Sequence, residues 1–227
     1  VTVTVESLHE QGRAALLAGQ ERLDTPPASG GRRWGLSVLV RPQPELAARL
    51  AAVTAEVVAV AGPGQWATGA SDTAHLTLYS LEPHRPGLTL ADPAAGRYAA
   101  AMARAAAATP RASFTVTGLA LTPGGVIAGC APADDAARSL RPALAAELGG
   151  DVFEERYRGD GWWVSLVHLA APVRDAAALV DLVERRRGEA LGRLDARRLE
   201  LVRYEHRDEP AGPRTVPVTL ARADLTG

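Results

Sequence analysis

A chain of 227 residues, 47% apolar, is long enough for one large domain or two lobes sharing a core, and its net charge of −1 at pH 7 gives no global field to hold a long nucleic acid. All 25 basic residues are arginine, which excludes a lysine Schiff base or a lysine-AMP intermediate and leaves arginine, backbone, hydroxyl and histidine to contact phosphate. Cys130 is the single cysteine, so no intramolecular disulfide forms; no long charge-free apolar run suggests a membrane span and the first residues lack a basic signal-peptide start, so a cytoplasmic protein without membrane contact is expected.

Residues 5–23 read as a helix with Leu8, Ala15, Leu16 and Leu17 on roughly one side, and DTPPASGG at 24–31 as a flexible connector. A strand is expected over 34–40. The helix after it carries Leu46, Leu50, Val53 and Val57 at three- and four-residue spacing and stops at Gly62, Pro63 and Gly64. A second strand follows over 74–81. Asp92 then caps a helix with Pro93 in the tolerated first position, running to 108. SFTVTGLALTPGGVIAGCAP reads as a hairpin turning at TPGG, and a helix over 134–148 carries Leu140, Leu144 and Leu148. Residues 151–157 form a strand or loop, GWWVSLVHLA a strand, and 173–187 a helix. Two final strands, RRLELVRYEH and RTVPVTLARADL, are joined by a polar turn. This order predicts an α+β fold of two lobes, each a small antiparallel sheet backed by helices, with the free sheet faces lining a central groove.

The stretch SDTAHLTLYS holds the first chemistry. Side chains alternate along a strand, so His75, Thr77 and Tyr79 share the more polar face above Leu76 and Leu78. Histidine exchanges a proton near neutral pH, and a hydroxyl two residues on bonds a phosphoryl oxygen. Phosphodiester cleavage wants a second such group on the other side of phosphorus, to protonate the departing oxygen. The equivalent strand, WWVSLVHL, offers Trp163 and Ser165 at the same spacing: the hydroxyl is present, but an indole N–H donates without shuttling a proton.

HLTLYSLEP and WVSL together resemble the two H-x-[ST] motifs of the 2H phosphoesterase superfamily, the group of 2'-5' RNA ligase-like proteins and cyclic nucleotide phosphodiesterases. PRTVPVTLARADL resembles that family's final strand, and the likeness covers about residues 32–222. It implies a bilobal, pseudo-two-fold α+β fold over 32–227, with 1–31 an added helix and linker. His75, Thr77 and Ser165 would be catalytic, and Trp163 would stand where the second histidine is expected.

A wider binding set is expected from Trp163, Tyr79, His168, Tyr157 and Arg158. Trp162 and Trp163 have opposite parity, so one packs while the other faces the groove, where an indole stacks on a flat ligand. His168 is five residues after Trp163, on the opposite face of a regular strand. A bulge would reverse that parity, although Ala170 then stands where a hydroxyl is wanted. Tyr157 and Arg158 precede the strand in a loop at the groove mouth. No histidine shows metal-ligand spacing and the glycine stretches match no nucleotide-binding signature, so neither metal nor cofactor is expected. Three functions stay open: a phosphodiesterase acting on a small cyclic phosphate, a nucleotide or an RNA end; a repurposed groove performing isomerase, lyase or cyclase chemistry on a small metabolite; and a non-catalytic ligand-binding protein.

Overall fold

The computed structural model describes residues 4–149, 161–209 and 212–227. Five helices and nine strands are seen among them. The first half of the pattern runs α1 (Val5–Leu17), β1 (Ser37–Val40), α2 (Pro44–Ala61), β2 (Trp66–Ala67), β3 (Leu76–Ser80) and α3 (Pro93–Ala107). It continues through β4 (Ala112–Thr122), β5 (Gly125–Pro132), α4 (Asp135–Leu148), β6 (Trp162–His168), α5 (Ala176–Arg185), β7 (Gly192–Ala196), β8 (Arg198–Glu209) and β9 (Gly212–Asp224).

Local chemistry sets the helix ends. Asp92, Asp134 and Asp175 each accept a backbone N–H of the following first turn, from Ala94, Ala137 and Ala178 respectively. The cap at Asp175 starts α5 later than the apolar pattern predicts. At the other end of the chain, α1 stops at Leu17, six residues short of the expected 23.

The strands join into one curled antiparallel sheet in the order β7-β4-β5-β6-β3-β1-β8-β9, with β2 added alongside β6. The two expected sheets are therefore halves of one, four strands on each side of the β6–β3 seam, where Leu76 pairs with Val164. The successions β1-α2-β3-α3 and β5-α4-β6-α5 repeat the same path, which is the expected pseudo-two-fold α+β architecture. The main core lies between helices and sheet: Leu46, Leu50 and Val57 of α2 and Leu140 and Leu144 of α4 bury against Val38, Leu76, Val164 and Phe114. Leu39, Val202, Tyr204 and Trp34 form a small apolar cluster apart from it.

The segment before residue 32 packs onto this core. α1 lies along β4 and α5, and Gly12 permits the approach, since a Cβ there would sit 2.6 Å from the Thr122 nitrogen. His9 is fully buried, accepts the Leu121 N–H on Nδ1 at 3.3 Å and reaches Glu184 through Nε2 at 3.0 Å. Among the described residues no helix is long and apolar enough to cross a membrane.

Candidate functional site

Both central strands break the two-residue alternation, and that break decides which side chains face the cleft. On β3, Val38 of β1 pairs with Tyr79 while its neighbour Leu39 pairs with Thr77, so Leu78 is an extra residue. On β6, Val126 of β5 pairs with Val167 while Ile127 pairs with Ser165, so Leu166 is extra. Each bulge turns two successive side chains into the core and returns the next one to the cleft. Tyr79 is consequently packed in the main core and Ser80 takes its place on the cleft wall; the alternation that put Tyr79 beside Thr77 fails at Leu78. By the same device His168 shares the cleft face with Trp163 and Ser165. Gly125, opposite His168, accommodates the bulge: a Cβ there would lie 2.1 Å from the Val167 carbonyl oxygen.

The cleft encloses about 190 Å³ and is lined by His75, Thr77, Ser80, Trp163, Ser165 and His168 of the two central strands, with Ser37, Thr68, Trp34, Tyr204 and four arginines around them. This is below the roughly 300–1,000 Å³ of a pocket that engulfs a drug-sized ligand, so it suits one small group with the remainder of its molecule outside. His75, Thr77, Ser165 and Trp163 line one cleft, and His168, which strand alternation places on the opposite face, joins them through the bulge. Trp162 points the other way and packs on Phe114 at 5.0 Å between ring centres. Tyr157 and Arg158 lie outside the described residues.

His75 precedes β3 and is half-buried. Its Nδ1 faces the Thr73 carbonyl oxygen at 2.6 Å. A carbonyl only accepts, so Nδ1 carries the proton and Nε2 of the neutral ring is an acceptor, to which the Tyr204 hydroxyl donates at 3.0 Å. Burial pushes the imidazole down to about 4, assisted by the positive charges of Arg41 and His168 and opposed by the Thr73 carbonyl and Glu200. The loop holding Thr73 is itself fixed. Thr73 Oγ1 donates to the Thr68 carbonyl at 3.0 Å, Arg41 donates to the Asp72 carbonyl at 2.9 Å, and Arg214 pairs with the Asp72 carboxylate at 2.7 Å.

His168 meets residues from outside either motif. Its Nδ1 lies 2.8 Å from Asp24 Oδ2 and 3.0 Å from Arg33 Nη2, and Arg33 also pairs with the other Asp24 oxygen. Burial lowers the His168 pKa, with the Asp24 carboxylate opposing the shift and Arg33 adding to it. Trp34 packs its ring 4.8 Å from His168 and 5.4 Å from Tyr204. Its φ of 62° is a left-handed conformation that aromatic residues rarely adopt, and His84 Nδ1–H donates to its carbonyl at 3.0 Å. His84 is thus a buried strut, and the His206 ring packs at a tilt against Trp66, 4.9 Å between centres.

Arg22, Asp24, Arg33, Trp34, Arg141 and Tyr204 were not singled out by sequence reasoning as site residues. The cleft-lining arginines 22, 32, 33 and 141 come from the connector region and α4, and nothing in their local spacing marks a common destination. Among the described residues four arginines and no carboxylate line the cleft, with Asp24 paired to Arg33 behind it, so the lining complements an anion. Among the described residues no group of three or more His, Cys, Asp or Glu side chains is placed to hold a metal ion.

No protein-family model and no curated protein matches the sequence. Solved structures match its fold over nearly their whole length. TT0787 of Thermus thermophilus is 21% identical with a TM-score of 0.59, covering 85% of this chain and 98% of its own. Escherichia coli LigT complexed with 3'-AMP is 14% identical with a TM-score of 0.55, covering 86% and 99%, and a structure described as a phosphoesterase gives 14%, 0.52, 85% and 98%. At such identities the likeness is one of fold: this chain has the 2H phosphoesterase-like fold.

Proposed function

We propose that the cleft hydrolyses phosphodiesters, with a small cyclic phosphate, a nucleotide or an RNA end as substrate. The observation that carries this reading is the convergence of His75, Thr77 and Ser165, from opposite halves of the sheet, on one arginine-lined hollow. LigT, which shares the fold, is described in complexes with 3'-AMP, phosphate, ATP and NADP+, so that fold accepts nucleotide-like ligands.

In this reading the neutral His75 takes a proton from the attacking water at Nε2, the nitrogen that Tyr204 now bonds. Thr77 and Ser165 donate hydroxyl hydrogen bonds to the non-bridging phosphoryl oxygens, and the arginines balance the charge that grows on them. Trp163 stands where the family resemblance places a second histidine, and its indole forms a flat wall for a base or sugar edge.

The test is hydrolysis of a panel of 2',3'-cyclic nucleotides, linear dinucleotides and p-nitrophenyl nucleotide diesters. Turnover is expected, abolished in His75→Ala and reduced about 10- to 1,000-fold in Thr77→Ala and Ser165→Ala. A folded wild type that cleaves none of them overturns the reading.

A further inference from the structure

In-line cleavage needs a base for the attacking oxygen and a proton donor for the departing one, and Trp163 cannot be that donor. The two cleft histidines are prepared for these different tasks by what touches their Nδ1 atoms. His75 Nδ1 meets a carbonyl, an acceptor, so its neutral ring turns a lone pair toward the cleft. His168 Nδ1 meets a guanidinium, a donor, at 3.0 Å, so its neutral ring accepts there and carries its proton on Nε2. When the ring is charged both nitrogens carry protons; the Asp24 carboxylate, 2.8 Å from Nδ1, accepts from it after a small rotation of the ring away from Arg33, and Nε2 still bears a proton. In both states Nε2 is a donor. The side chain keeps 15% of its surface exposed, it lines the cleft, and Nε2 has no partner among the described residues.

We propose that His168, delivered to the cleft by the β6 bulge and positioned by Asp24 and Arg33, is the general acid of the reaction. This rests on the phosphodiesterase reading. Water oxygen bonds phosphorus as His75 Nε2 removes its proton. The bond from phosphorus to the departing oxygen breaks with its electron pair on that oxygen, which takes the Nε2 proton of the charged His168. The products are a phosphomonoester and an alcohol, and solvent returns the proton from His75 to His168. The incoming phosphodiester anion favours the charged ring, and Asp24 supports it from behind; Asp24 is a positioning residue.

The discriminating measurement is leaving-group dependence, using two esters that wild type hydrolyses and that share one nucleotide: one with a nucleoside 5'-hydroxyl leaving, the other with p-nitrophenoxide, which departs as a stable anion. His168→Gln is expected to lower the ratio of the first rate to the second by about 100-fold or more, the size of a general-acid contribution. Asp24→Asn should shift the same ratio in the same direction, whereas a merely structural Asp24 would lower both rates together. His75→Gln should depress both rates with the ratio within a few-fold of wild type. An unchanged ratio in His168→Gln overturns the proposal and leaves the phosphodiesterase reading standing; a wild type that hydrolyses neither kind of ester removes both. Nitrogen-15 spectra of the wild type give a check independent of the variants: a His168 ring that stays neutral when a non-hydrolysable phosphodiester is bound also overturns it.

Discussion

Ser80 and His168 occupy matched places in the two halves of the sheet. Each is the third residue after the cleft hydroxyl of its central strand, each is returned to the cleft by a one-residue bulge, and 88 residues separate them, as they separate His75 from Trp163. The pseudo-symmetry therefore holds for the backbone while the side chains differ: an imidazole sits two residues before the cleft hydroxyl in one half and three residues after it in the other.

The bulge on β6 depends on Gly125. An added Cβ would meet the Val167 carbonyl oxygen at 2.1 Å, and backbone on both sides leaves no flexible side chain to give way. Gly125→Ala is expected to lower stability by about 1–3 kcal/mol, the usual cost of overpacking, and to displace His168 from the cleft. Urea unfolding measures the first effect. A midpoint equal to wild type would mean that the register adjusts freely.

How much of this was legible in sequence follows from the range over which each signal acts. Asp92 before Pro93 announced a helix start because a cap is decided within one turn. His75, Thr77 and Ser165 were legible because strand alternation holds from the start of each strand up to the hydroxyl. Tyr79 was misplaced and His168 set on the wrong face because a single extra residue reverses everything after it, and the residue that accommodates the β6 bulge, Gly125, is in another strand. Arg33, Asp24 and Tyr204 were invisible for a different reason. They reach the cleft only through folding of distant segments, with Tyr204 129 residues from the histidine it bonds.

His75 makes folding pH-dependent. Its charged form is disfavoured by burial in the native state, with the pKa pushed from 6.5 to about 4, so the unfolded chain binds this proton more readily. The contribution is complete above pH 6.5, declines as pH falls through 6.5 toward about 4, and is gone below that. Its full size is about 3 kcal/mol at 1.36 kcal/mol per unit. His75→Gln, which does not titrate, is expected to lose less stability than wild type between pH 7 and 4.5. Parallel slopes in denaturant titrations at those two pH values would contradict this.

Tyr204 reinforces the neutral state of His75 by donating to Nε2. A hydrogen bond made only to the neutral form favours that form. Tyr204→Phe should therefore raise the His75 pKa by about half a unit to one unit, the equivalent of one ordinary hydrogen bond. Nitrogen-15 titration of the imidazole reads this directly. A pKa that falls, or stays in place, would show that the hydroxyl does not hold this bond in solution.

The segment before residue 32 reads in sequence as an added helix and linker, yet it packs onto the core. Its Leu16 is buried in the main core and its His9 takes the Leu121 N–H of β4, beyond the stretch of that strand that pairs with β7. Removing the imidazole leaves both a cavity and a buried donor without a partner, so His9→Ala is expected to cost about 2–4 kcal/mol. Deletion of residues 1–31 should be more damaging, because it uncovers the β4 backbone and the Leu16 site together. It also takes Arg22 and Asp24 away from the cleft, leaving the His168 Nδ1 without its carboxylate. Thermal unfolding of both variants checks the argument. A truncated chain as stable as wild type would establish the segment as an appendage.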